Sequence, residues 1–217
     1  MKLHLGCGQR YLEGYLNIDF PLSSHPVQET SAADLHTDIL SLRYPAETVS
    51  EIRLHHVFEH FPRPVACALL AGWYTWLQPG GRIHLEVPDF QETALAMLKP
   101  DFSFKQYAVG ERHIFGSHEA GWAVHCEGYT PESLTMFIES FGFKVTEIRK
   151  NSYLGTFNFE LAATKLNNSL TSEELKLITE NYLKTFLLNE SQDELKLLSV
   201  WMDIYHKQVE RIWGTAT

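Results

Sequence analysis

With 217 residues, 44% of them apolar and 21% charged, the chain is long enough for one well-filled core plus an appendage and carries no signature of disorder. Its formal charge of −9 argues against non-specific binding to nucleic acid or to an anionic membrane, since a phosphate binder presents a net basic face. No apolar run approaches the roughly 20 residues that span a bilayer, no signal-peptide pattern is seen, and Cys7, Cys67 and Cys126 are too widely spaced for a disulfide framework, so a cytoplasmic protein with reduced thiols is expected.

In chain order, Leu3-His4-Leu5 reads as a short strand that runs into Gly6-Cys7-Gly8, with one turn of helix at most before a second strand, Leu16-Asn17-Ile18-Asp19. Residues 21–33 are polar and read as a loop. Residues 33–39 form a possible third strand, and residues 50–54 a fourth that ends in His55-His56-Val57-Phe58-Glu59-His60. Val65, Leu69, Leu70, Trp73, Trp76 and Leu77 recur at helical spacing, and Gln78-Pro79-Gly80-Gly81 is expected to stop that helix. Residues 82–87 alternate as a fifth strand, and residues 90–98 read as a helix.

Residues 102–128 are the least regular and look like a functional loop. Thr130-Pro131-Glu132 is a helix start. Residues 143–149 and 156–164 then read as an antiparallel hairpin around a turn at 151–155. Composition shifts after residue 165. Thr171-x-x-Glu174 and Ser191-x-x-Glu194 are capping boxes that open two amphipathic helices. These helices must bury their faces on the sheet, on each other or on a second copy, so a homodimer through them is one expectation. Residues 1–165 are thus expected to form one α/β domain, with residues 166–217 as a helical extension.

Glycines at the carboxyl end of a strand let a ligand lie against the main chain, and an acid that closes the next strand can accept hydrogen bonds from both hydroxyls of a ribose. Gly6, Gly8 and Asp19 supply these parts. A dinucleotide fingerprint needs a third glycine where this chain has Tyr11, and a helix dipole for the pyrophosphate. A ligand without phosphates fits better than a dehydrogenase cofactor.

Read in order, these motifs resemble the class I S-adenosylmethionine-dependent methyltransferases, in particular the methyltransferase type 11-like group. The resemblance rests on Leu3-His4-Leu5-Gly6-Cys7-Gly8, Asn17-Ile18-Asp19, the stretch from Asp34 to Ile39, the run from His55 to His60, Leu77-Gln78-Pro79-Gly80-Gly81-Arg82 and Val87-Pro88-Asp89. It implies a Rossmann-like α/β fold: a seven-stranded sheet with an antiparallel last strand and helices on both faces. It also implies S-adenosyl-L-methionine as cofactor. The backbone around Gly6, Cys7 and Gly8 would pass the methionine part and Asp19 would hold the ribose. Asp38 and Ile39 would meet the adenine, and His56 and Glu59 would lie on the sulfonium side.

The implied reaction is in-line methyl transfer to a small-molecule or sugar-type acceptor. A general base for a hydroxyl acceptor is sought among His113, His118, Glu119, His125 and Glu127, with His125 and His113 the leading candidates. Trp122, Phe115 and Tyr129 could wall the acceptor pocket. No metal set is assigned. Two alternatives stay open: a non-catalytic scaffold that keeps the nucleoside fold, and a zinc protein using His113, His118, His125 and Cys126, whose spacing matches no standard zinc module.

Overall fold

Short apolar segments build the sheet. In the computed structural model, which describes residues 1–153, 155–167 and 169–213, the strands are β1 (Lys2–Leu5), β2 (Leu16–Asp19), β3 (Leu35–His36), β4 (Val49–His55), β5 (Leu77–Pro88), β6 (Phe143–Tyr153) and β7 (Thr156–Lys165). They form one sheet in the order β3-β2-β1-β4-β5-β7-β6. Pairing is parallel from β3 through β5, and β7 runs antiparallel to both β5 and β6. This is the expected Rossmann-like sheet with its last strand reversed. The link from β6 to β7 is far too short for a crossover, so β7 must return antiparallel.

Register explains the core. Ile52 pairs with Leu3 and Ile83, and Leu54 pairs with Leu5 and Leu85. Paired residues share a face, and all six are fully buried. The opposite face carries Glu51, Arg53, His84 and Glu160. Arg53 donates to Glu160 at 2.7 Å, His84 lies 3.2 Å from Glu51, and the Tyr15 hydroxyl also donates to Glu51. The links between β1, β2, β3 and β4 contain no α-helix, only two 3-10 turns.

The helices are α1 (Arg63–Trp76), α2 (Phe90–Met97), α3 (Phe104–Phe115), α4 (Pro131–Ser140), α5 (Ser172–Lys184) and α6 (Gln192–Trp213). Helix α1 is buried nearly all round, as a helix must be when it is enclosed by other elements. It packs on β5, and α5 and α6 pack on it. A Cβ at Gly72 of α1 would come 2.5 Å from the Ile212 side chain, so the α1–α6 approach depends on that glycine. Tyr182 of α5 stacks on Phe137 of α4 with ring centres 4.1 Å apart. Leu175, Leu183, Leu198, Tyr205 and Ile212 therefore belong to the same apolar cluster as the sheet.

Three local expectations change. Residues 104–115 are helical rather than loop, opened by a Ser103–Gln106 capping box. The 78–81 segment does stop α1, but it is absorbed into β5. It loops out between the Val49–Leu77 and Glu51–Arg82 pairs, with Gly80 at φ +73°. The third strand shrinks to two residues because Asp38 already caps a 3-10 turn. Within the turn expected at 151–155, Leu154 lies outside the described residues. Among the described residues no helix is long and apolar enough to cross a membrane, and Cys7, Cys67 and Cys126 are free thiols.

Candidate functional site

The carboxyl ends of β1, β2 and β4 meet at one cavity of about 590 Å³. Its floor is the glycine loop. Gly6 and Gly8 take φ values of +68° and +55°, a region that favours glycine, and a Cβ at Gly6 would collide with Val57. The amides of Gly6 and Cys7 both donate to the Ile18 carbonyl, at 2.8 and 3.1 Å, which pins the loop to the end of β2. Asp19 closes β2 and is buried. Its Oδ2 accepts from the Gly8 amide at 2.6 Å and its Oδ1 from the Phe20 amide at 2.7 Å.

Asp38 and Ile39 form another wall. Asp38 caps the 3-10 turn Ile39–Ser41 by accepting from the Leu40 amide at 2.8 Å, and its other oxygen lies 4.0 Å from Arg211 of α6. Trp122, from the loop after α3, covers the Asp19 side. Its ring centre is 5.1 Å from that of His25 and 6.1 Å from that of Phe20, and its indole N–H donates to the Ser24 carbonyl at 3.0 Å. Gly6, Gly8, Asp19, Asp38, Ile39 and His56 all line this cavity. Cys7 and Glu59 do not. Cys7 is buried beneath the loop, and its thiol is pushed up to about 12, first by burial and then by Asp19.

His56 stands at the end of β4 with φ +54° and also lines a polar groove shared with Arg10, His55, Glu86 and His113. Its ring lies 3.5 Å from Glu59 and 4.0 Å from Glu86. Burial disfavours its charge, but these two carboxylates more than offset that, so His56 sits above the ordinary imidazole value. Glu59 is pushed up by burial and pulled down further by His56, with His60 and His125 adding to the pull, so it lies below the usual carboxylate range.

His113 and His125 stand outside the main cavity. The His113 Nε2–H donates to the Phe157 carbonyl at 2.9 Å, leaving Nδ1 as the basic nitrogen in the groove. The His125 Nδ1–H donates to the Ile114 carbonyl at 3.2 Å, and its Nε2 lies 3.8 Å from Glu59. Burial lowers both imidazoles below their ordinary value.

No protein-family model matches this sequence, and no curated protein does. Solved structures match the fold. A SAM-dependent methyltransferase from Methanosarcina mazei superposes with a TM-score of 0.52 at 14% identity, covering 77% of this chain and 92% of that one. The 1,6-didemethyltoxoflavin-N1-methyltransferase of Burkholderia thailandensis, with bound 1,6-didemethyltoxoflavin and S-adenosylhomocysteine, gives a TM-score of 0.51 at 13% identity over 76% of this chain and 71% of that one. An S-adenosylmethionine-dependent methyltransferase from Mesorhizobium loti gives 0.50 at 12% identity, over 76% and 90%. The chain has the class I methyltransferase fold.

Within this methyltransferase fold, several residues differ from their expected places. Phe115 is exposed, and Tyr129 is a core residue stacked on Phe58 rather than a pocket wall. Trp122 and Glu119 do line the cavity. Glu127 is held by Arg63 at 3.0 Å. The four-ligand zinc set is not assembled. Helix α3 commits His113 to Phe157, His118 bonds to the Phe115 carbonyl at 3.0 Å, and Cys126 is exposed. Among the described residues, the group close enough to share an ion is Glu59, His60 and His125. Phe20, His25 and Gln28 also line the cavity. The sequence offered no signal for them, because a polar loop carries no periodicity that shows which side chains fold inward.

Proposed function

We propose that the chain transfers a methyl group from S-adenosyl-L-methionine to a small-molecule acceptor of polar, sugar-like character. The observation that carries this reading is the buried Asp19 carboxylate, fastened to the Gly8 amide at 2.6 Å on the wall of the main cavity. Each Asp19 oxygen already accepts one amide and keeps capacity for one ribose hydroxyl. No α-helix follows Gly8, so the site lacks the dipole that holds a pyrophosphate, which favours a nucleoside ligand over a dinucleotide. The Asp38–Ile39 wall suits the adenine edge, with His56 toward the reacting end.

Bound there, the cofactor supplies a methyl already activated by its sulfonium, so the protein's work is alignment and exclusion of water. Trp122 and Phe20 exclude water above Asp19. The polar groove on the far side of His56 receives the acceptor, and His113 Nδ1 takes up the proton of an acceptor hydroxyl. His125, facing Glu59 rather than the groove, is the second choice for that role.

Calorimetry tests the reading. S-adenosylhomocysteine should bind at micromolar concentration, NAD should not bind, and Asp19→Asn should weaken binding by about ten-fold or more, the worth of one hydrogen bond to a charged group. Folded protein that binds neither adenosyl ligand sinks the proposal.

A further inference from the structure

Behind the His56 wall lies a second chemical centre. Glu59 is 1% exposed, and neither of its carboxylate oxygens has a hydrogen-bond partner. Its nearest counter-charge is the His56 ring, 3.5 Å away and itself 41% exposed, so a buried carboxylate held this loosely still gains from a closer cation. Two segments bring imidazoles to it. Glu59 and His60 belong to the 3-10 turn Phe58–His60 that follows β4, and His125 belongs to the loop after α3. The Glu59 carbonyl accepts from the amides of Cys126 and Glu127, at 2.8 and 3.2 Å, so the segments are tied at this point. One Glu59 oxygen and one nitrogen from each of His60 and His125 lie within 4.8 Å of one another.

The proton positions of both rings follow from their partners. His60 Nδ1 lies 3.1 Å from the Val124 carbonyl, and His125 Nδ1 lies 3.2 Å from the Ile114 carbonyl. A carbonyl can only accept, so each neutral ring carries its proton on Nδ1 and leaves Nε2 as a lone pair. Two imidazoles and a carboxylate then share one small volume, and a cation seated among them would take up their lone pairs. Backbone carbonyls that hold the outer nitrogens are the usual orienting shell of metal-bound histidines.

We propose that Glu59, His60 and His125 bind a divalent transition-metal ion of the zinc type, with the fourth position open at the cavity wall that His60 lines. Two imidazoles and a carboxylate suit zinc better than magnesium or calcium, which favour all-oxygen sets. A tetrahedral zinc ion about 2 Å from each donor holds the donors about 3.3 Å apart. His125 Nε2 and Glu59 Oε1 are 3.8 Å apart, and the three donors, within 4.8 Å of one another, must draw in by up to about 1.5 Å to meet it. The site stands on its own geometry: Glu59 and His125 do not line the nucleoside cavity, and His125 as a metal ligand leaves the proton-accepting role to His113.

The test uses the whole chain, stripped with a chelator and titrated with zinc by calorimetry and with cobalt(II) by visible spectroscopy, alongside thermal unfolding. One zinc ion per chain, a zinc-dependent rise in Tm and tetrahedral-type cobalt bands are expected. Glu59→Gln and His60→Gln should weaken binding by about ten-fold or more, whereas His113→Asn, a nearby imidazole outside the set, should leave it unchanged. His60 is half-buried, so its variant keeps the test informative if the Glu59 variant fails to fold. Stripped but folded protein that takes up neither ion overturns the proposal. So does full affinity in His60→Gln, or a loss of binding that follows Cys126→Ser instead.

Discussion

Gly6 is the position where a single methyl group decides whether the cavity floor can form. Its φ of +68° costs an L-residue about 1–2 kcal/mol, and its Cβ would also strike Val57. Gly14 has a similar φ of +80° with nothing within 4 Å, so it isolates the conformational part. In urea unfolding, Gly6→Ala should cost about 1–3 kcal/mol more than Gly14→Ala, the excess being the overpacking against Val57. Equal costs for the two variants would rule out the collision.

His4 makes a different residue-scale prediction. It is fully buried, its Nδ1 bonds to Asn17 Oδ1 at 2.9 Å, and its pKa falls from 6.5 to about 4, mainly through burial. The unfolded chain therefore binds a proton between those values that the folded chain refuses. The His4 contribution is complete above pH 6.5 and is lost as pH falls toward 4. In His4→Phe the fall in unfolding free energy across this window should be shallower by up to roughly 3 kcal/mol. Asn17 Oδ1 keeps the Leu12 amide at 2.9 Å in that variant, so no orphaned acceptor confuses the result. An unchanged slope would show that His4 does not titrate in this way. At this scale Gly6, Gly8 and Asp19 were legible in the sequence because glycine and a strand-ending acid have few other reasons to occur in that order. His25 and Trp122 were not placed against each other by any pattern, since their meeting depends on two loops 97 positions apart in number, His25 and Trp122, closing over one carboxylate.

At the scale of elements, the α1–α6 contact has the sharpest consequence. Gly72→Ala adds a methyl that would stand 2.5 Å from Ile212. The clash should cost about 1–3 kcal/mol, against a helix-propensity gain of about 1 kcal/mol. In an Ile212→Ala background the obstacle is gone, and the same change should become neutral or stabilising. A double-mutant cycle by thermal or urea unfolding reads this directly, and simple additivity would refute a tight α1–α6 approach. Helix α3 shows where sequence periodicity gave too little. Its mean polarity and the irregular histidine-bearing stretch that follows it read as loop, yet Ser103-x-x-Gln106 was a visible start signal of the same kind that marked α5. The hairpin of β6 and β7 was legible because two strand-like runs flank a link so short that it leaves one pairing geometry. Absorption of residues 78–81 into β5 was not, because a proline and two glycines look alike in a bulge and in a turn.

On the scale of the whole molecule, α6 touches the back of one cavity wall as well as the core. Gln208 donates to the Leu40 carbonyl at 3.0 Å, Arg43 donates to the Arg211 carbonyl at 2.6 Å, and Arg211 lies 4.0 Å from Asp38. The sequence pattern marked α6 as amphipathic. It could not say that the helix braces the Asp38–Ile39 wall, because that depends on how far α6 runs along α1. If the wall and the helix are mechanically one unit, filling the cavity should steady both. Hydrogen exchange measured with and without S-adenosylhomocysteine should then show slower exchange at the amides of Leu40 and Ser41 together with the last turns of α6 around Gln208. Gln208→Ala should uncouple them, keeping ligand protection at Gly6 and Gly8 while losing it in α6. Protection confined to the glycine loop in the unmodified protein would mean that α6 covers the core without supporting the site.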